Sequence, residues 1–105
     1  MTPLASLLAA VESGEWPQAN IGAYDQINGV PLEIWHRGRK AFEGSTDAAI
    51  SLCEAMLPGW RWNFLVDQGL VTSPDGVEFF EHQTGNTARA LLIAVLRALV
   101  AKETP

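Results

Sequence analysis

Leu4, Leu7, Leu8 and Val11 recur at i, i+3, i+4 and i+7, the spacing of one face of an α-helix. Thr2 stands where a cap belongs. Pro3 suits the first helical position, because its missing N–H would have no partner there. Gly14 stops the run, so the first helix occupies residues 1–14. A segment this short must pack its apolar stripe on something else to persist. After Glu15 the pattern changes. Trp16-Pro17, Gly22 and Asn28-Gly29 punctuate the chain, and Asn-Gly is a strong hairpin signal because both residues tolerate positive φ. Val30, Leu32 and Ile34 then alternate with Pro31, Glu33 and Trp35, which predicts a half-buried strand running to Arg37. Residues 21–27 alternate weakly. A strand there competes with a helical turn around Ala23 to Ile27.

From Ser45 onward the periods are clearer. Ser45 or Thr46 opens a second helix, with Asp47 in the first turn, where a carboxylate complements the helix dipole. Ala49, Ile50, Cys53, Met56 and Leu57 form its apolar face, Asp47, Ser51 and Glu54 its polar one, and Pro58-Gly59 ends it. Trp60 to Val66 predicts a strand with Trp60, Trp62, Phe64 and Val66 on one face, the core side. Gln68-Gly69 reads as a turn, Leu70 to Thr72 as a return strand, Pro74-Asp75-Gly76 as another turn, and Val77 to His82 as the last strand. Asn86 or Thr87 caps a third helix that reaches about Ala101. Leu91, Leu92, Val95, Leu96 and Leu99 give it a wide apolar face, with Arg89, Ile93 and Arg97 opposite. So wide a face marks this as the most buried helix.

The order of elements predicts the α+β class: an antiparallel sheet of three to five strands with helices packed on it, in helix–sheet–helix layers. The 105 residues fit a single domain, 1–105. It divides into the N-terminal helix (1–14), a hairpin or loop insertion (15–44) and a helix–strands–helix core (45–105). The longest apolar run, Ala90 to Leu96, is closed by Arg89 and Arg97, far short of the roughly 20 residues of a membrane span. Met1 to Leu4 lacks the basic region of a secretory signal, and one cysteine, Cys53, allows no intramolecular disulfide. Both point to a cytoplasmic protein.

Charge then narrows the function. Twelve acidic and seven basic residues give a net charge of −5, which disfavours direct binding to duplex DNA. The acids are scattered, so no ladder mimics a phosphate backbone. His36, His82 and Cys53 lack metal-ligand spacing. Cys53 shares a helix face with Ile50 and Leu57, where burial raises a thiol's pKa and suppresses the thiolate. No Gly-rich phosphate loop is present, and no carboxylate pair stands out. The expectation is therefore a non-enzyme with no catalytic residues, no metal and no cofactor.

The motifs Ser45-Thr46-Asp47-Ala48-Ala49-Ile50-Ser51-Leu52, Leu57-Pro58-Gly59-Trp60-Arg61-Trp62 and Thr87-Ala88-Arg89-Ala90-Leu91-Leu92 resemble the phage ABA sandwich domain family. These small phage and prophage proteins, mostly of unknown function, carry an S-x-D-A-A-x-x-L helix, a G-W-x-W strand and a closing A-L helix. The likeness covers a little over half the chain, and residues 15–44 depart from it. It implies a layered fold and phage or prophage origin. It carries no catalytic residues, because the family has no established set.

Two features remain as candidate binding chemistry. His36-Arg37-Gly38-Arg39-Lys40 places three of the seven basic residues within four positions, suited to carboxylates or phosphates; a solvated strand end is the plainer account. Trp60-Arg61-Trp62, with Trp16 and Trp35 elsewhere, supplies the residue types richest in interface hot spots, although Trp60 and Trp62 also fit a core. Trp35, His36, Arg37, Arg39, Lys40 and Arg61 are accordingly the expected partner- or ligand-binding residues. The expected role is an accessory protein that binds a host protein, such as an anti-CRISPR-like inhibitor of a defence effector. A small-molecule binder, such as a sponge for a nucleotide signal or another phosphate ligand, is the alternative, and a virion or assembly component a second. A homodimer is compatible with each.

Overall fold

The computed structural model describes residues 2–16, 30, 32–65, 68–76, 79–83 and 85–103. It is an α+β structure: helices α1 (Pro3–Glu12), α2 (Leu32–Phe42), α3 (Thr46–Met56) and α4 (Thr87–Glu103), with strands β1 (Arg61–Leu65), β2 (Gln68–Thr72) and β3 (Phe79–Gln83). The strands run antiparallel in the order β1-β2-β3. Arg61 pairs with Thr72 and Leu65 with Gln68 across the first hairpin. Thr72 pairs with Phe79 and Gln68 with Gln83 across the second.

Local chemistry accounts for the helix ends. Thr2 Oγ1 accepts the Ala5 amide at 3.1 Å, Ser45 Oγ that of Ala48 at 3.1 Å, and Asn86 Oδ1 that of Arg89 at 3.1 Å. Each satisfies an N-terminal donor that the helix leaves open. Helix α2 closes on Gly44, whose φ is +115°. Its amide bonds Ala41 O while Ser45 N bonds Lys40 O, a paired closure that requires the left-handed backbone glycine adopts most readily.

Helix α4 is the centre of the molecule. Ala88, the unbroken run Ala90 to Leu96, Ala98 and Leu99 are all buried, so no side of its middle two turns faces water. One side lies against β2 and β3, and the others against α1, α2 and α3. Ile93, expected on the polar side, is 2% exposed, because those helices cover it. Helix α1 runs antiparallel to α4, pinned at both ends. Thr2 Oγ1 donates to Glu103 Oε2 at 2.6 Å, and Arg97 Nη2 meets Glu12 Oε2 at 2.6 Å.

The layer order therefore differs from the expected helix–sheet–helix. Among the described residues the sequence of layers is sheet, then α4, then the remaining helices. Helix α3, expected on the sheet, packs instead on α2 and α4, burying Ala48, Ala49, Leu52 and Cys53. The cause is the composition of α4: it is apolar all round and rich in alanine, so it takes neighbours closely on both sides. The approach of β2 is the closest. A Cβ at Gly69 would collide with backbone atoms of Leu91 and Ala90.

Three other expectations change. Residues 32–42 form a helix, where a strand was expected to Arg37. Ile34, Gly38 and Ala41 are all buried, a period of four and three that outweighs the short alternation of Val30, Leu32 and Ile34. Glu33 in the first turn and Arg39 and Lys40 in the last also suit the helix dipole. Gln68 and Gly69 belong to β2 instead of forming a turn, and residues 66 and 67 lie outside the described set. Trp62 is 38% exposed instead of lying in the core. It sits on edge strand β1, while α4 covers mainly β2 and β3. The Asn28-Gly29 hairpin and the competing elements at 21–27 fall outside the described residues. No described helix is long and apolar enough to cross a membrane.

Candidate functional site

Because residues 32–42 are helical, the basic segment is sorted by a period of 3.6 rather than 2. His36, Arg39, Lys40 and Glu43 fall at i, i+3, i+4 and i+7, on one exposed face. Trp35, one turn before Arg39, flanks them. Together these five residues line a surface depression of about 330 Å³. Arg39 Nε donates to Glu43 Oε1 at 3.3 Å, an exposed i,i+4 pair that holds the guanidinium at the rim and adds a few tenths of a kcal/mol, about 0.3–0.5. Among the described residues neither the His36 nor the Lys40 side chain has a hydrogen-bond or ion-pair partner.

Trp35 is half-buried because it is braced from behind. Its ring lies 5.3 Å from that of Trp16, tilted by 36°, and Trp16 lies 5.8 Å from Phe42. Trp16 reaches this position because residue 38 is glycine; a Cβ there would meet Trp16 Cη2 at 3.0 Å. The guanidinium of Arg89 stands 3.7 Å above the Phe42 ring and donates to Phe42 O through Nε at 3.3 Å and Nη2 at 3.0 Å. That carbonyl belongs to the last turn of α2, where helices leave acceptors unmatched. The result is a fixed wall: α4 holds Phe42, Phe42 packs on Trp16, and Trp16 packs on Trp35. Among the described residues the buried indole N–H of Trp16 finds no hydrogen-bond partner.

Trp35, His36, Arg39 and Lys40 of the expected set thus come together. Arg37 does not join them. It points toward α3, where Nη1 lies 3.5 Å from Ser51 O, and it is half-buried, a tie between helices. Arg61 is exposed on β1 and does not line the depression. Glu43, Trp16 and Arg89 were missed. The Arg39–Glu43 spacing would have revealed Glu43 once the segment was read as helical. Nothing local marks Trp16 or Arg89, which act across the fold.

The chain matches no family model, no curated protein and no solved structure. The site must therefore be judged on its own chemistry. Among the described residues no group of three His, Cys, Asp or Glu could hold a metal ion. Cys53 is fully buried. Desolvation, with the Glu54 carboxylate adding to it, pushes its thiol up from 9.0 to about 11, which leaves it protonated and unreactive near neutrality. What the depression offers is an imidazole, a guanidinium and an ammonium beside a rigid indole. That set can grip an anion and bury an apolar group beside it.

Proposed function

We propose that the protein is a non-enzymatic binding protein of the phage or prophage accessory kind. In this reading it acts in a bacterial cytoplasm and sets the exposed face of α2 against an acidic surface of a host protein, inhibiting a defence effector. The carrying observation is the convergence of Trp35, His36, Arg39 and Lys40 around one depression in a chain of net charge −5. A cationic patch on an acidic molecule has a local field opposite to its surroundings, and such a field orients an acidic partner. Trp35 contributes anchoring area at little entropic cost, because its ring is already held by Trp16. The resemblance of its motifs, though not of its layer order, to phage ABA sandwich proteins supports the phage assignment.

The test is native mass spectrometry of the protein purified from a bacterial host, in parallel with Arg39→Gln/Lys40→Gln. A stoichiometric host protein should accompany the parent and fall at least about tenfold in the double variant, since charge-assisted contacts at a desolvated centre are worth about 1.5–3 kcal/mol each. Equal recovery of every companion from the parent and the variant overturns the assignment.

A further inference from the structure

The depression on α2 is larger than an isolated carboxylate needs. Its volume of about 330 Å³ lies at the small end of the range of small-molecule clefts, roughly 300–1,000 Å³. Its described lining combines cationic side chains with one aromatic ring. His36, Arg39 and Lys40 bring N–H donors from three consecutive positions of one face. Trp35 presents an indole whose other neighbour, Trp16, fixes its orientation. A cluster of this kind suits a phosphate oxyanion, because Arg39 and Lys40 are two permanent cations and Glu43 is the one acid that lines the depression among the described residues. Arg39 engages that acid through Nε, an arrangement that pre-orients the guanidinium fork. An aromatic ring beside a phosphate-binding cluster is the combination that recognises a base together with its phosphate.

We infer that this depression binds a nucleoside monophosphate, with the phosphate held by His36, Arg39 and Lys40 and the base packed on Trp35. The inference rests on the reading of α2 as an anion-binding face and names a ligand class for it. The phosphate alone fills part of the volume, so the nucleotide binds more tightly than inorganic phosphate. Glu43 opposes the ligand, so its neutralisation strengthens binding.

The test is a set of titrations of the intact protein followed by amide chemical shifts and calorimetry. The titrants are adenosine and guanosine monophosphate, inorganic phosphate, the corresponding nucleosides, and an acidic peptide of glutamates. The expected order is nucleotide tightest, with phosphate and nucleoside each at least about tenfold weaker. Arg39→Gln/Lys40→Gln should lose at least about tenfold in nucleotide affinity, both side chains being exposed and outside the core. Glu43→Gln should gain. Trp35→Phe, which keeps a ring against Trp16, should weaken the nucleotide without altering inorganic phosphate. Nucleotide binding that ignores the double variant, or that equals binding of inorganic phosphate, overturns the inference. Shifts on α2 with the acidic peptide but none with the nucleotides also overturn it, while leaving the protein-binding function standing. Silence with every titrant removes both.

Discussion

Replacing Gly69 by alanine puts two effects of opposite sign in competition. Glycine in a strand interior is worse than alanine by about 0.5–1 kcal/mol, because it gives up more freedom on folding. On that account Gly69→Ala stabilises. The structure reverses the sign. The added Cβ would overlap the amide nitrogen and Cα of Leu91 and the carbonyl carbon of Ala90. These are backbone atoms of a helix interior, so no change of rotamer can clear them. Either β2 lifts off α4 or α4 shifts against α1, α2 and α3. Both loosen a core in which Val71, Leu91, Leu92 and Val95 are fully buried. Overpacking of this kind costs about 1–3 kcal/mol, and a backbone obstruction belongs at the upper end. The net loss should then be about 2 kcal/mol or more. For a domain of this size that is a fall in Tm of roughly 8–16 °C. Gly85→Ala is the control: a Cβ there meets nothing within 4 Å, so the change should stay within about 0.5 kcal/mol. Urea denaturation followed by far-UV circular dichroism measures both. If Gly69→Ala matches or exceeds the parent in stability, β2 does not lie on α4 as described, and the central position of α4 falls with it.

Leu92→Ala should cost about 2–5 kcal/mol in the same assay, as expected for a fully buried leucine whose cavity the surrounding helices cannot close. Arg89→Ala should cost about 1–3 kcal/mol, because it strands the Phe42 carbonyl and uncovers the Phe42 ring. Arg89→Lys should recover only part of this, since an ammonium cannot reproduce two N–H groups converging on one oxygen with a planar cation over the ring; full recovery would dismiss the fork. Cys53 supplies a pH signature. Its folded thiol is raised from 9.0 to about 11, so its contribution is complete below pH 9 and declines as pH rises toward 11. The stability of the parent relative to Cys53→Ala should therefore shrink across that window and stay constant from pH 6 to 8; a constant difference from pH 8 to 11 refutes it. In the same protein a disulfide reagent at pH 8 should label Cys53 only after unfolding.

Elements that repeat their own period were legible from the chain. The stripe Leu4, Leu7, Leu8, Val11, the Ser45-capped helix and the long apolar run after Asn86 declare helices, because each has apolar residues at helical spacing and a capping side chain before it. Helix α2 escapes its hydropathy pattern for a specific reason. Its buried stripe passes through Gly38 and Ala41, which carry little or no apolar side chain, so hydropathy records the short alternation before them and not the helical period. The glycine is there to admit Trp16, a residue more than twenty positions away, and no local pattern can announce it. Layer order was hidden similarly. An all-apolar helix is compatible with any burial on two sides, and only the fit of Gly69 against α4 decides which side takes the sheet.

The same reasoning explains why the site's residue types were legible and its geometry was not. Read at a period of two, Trp35 and Arg37 fall on one face and Arg39 continues it. Read at 3.6, Arg37 turns inward to Ser51 O, while His36, Arg39, Lys40 and Glu43 share a face. The change of period removes a cation from the site and adds an acid to it. A variant chosen on the first reading, Arg37→Ala with Arg39→Ala, would therefore confound a binding effect with a loss of contact between α2 and α3. Arg39→Gln with Lys40→Gln avoids this, because both side chains are exposed and neither bridges two helices. If these α2 assignments hold, Arg37→Ala alone should lower Tm while leaving affinity for the anionic ligand within about twofold, since a cation that does not reach the ligand acts only through the screened field. Affinity and stability falling together in Arg37→Ala would instead mean that the inward-turned guanidinium belongs to the binding face, and that the period of 3.6 sorts these residues wrongly.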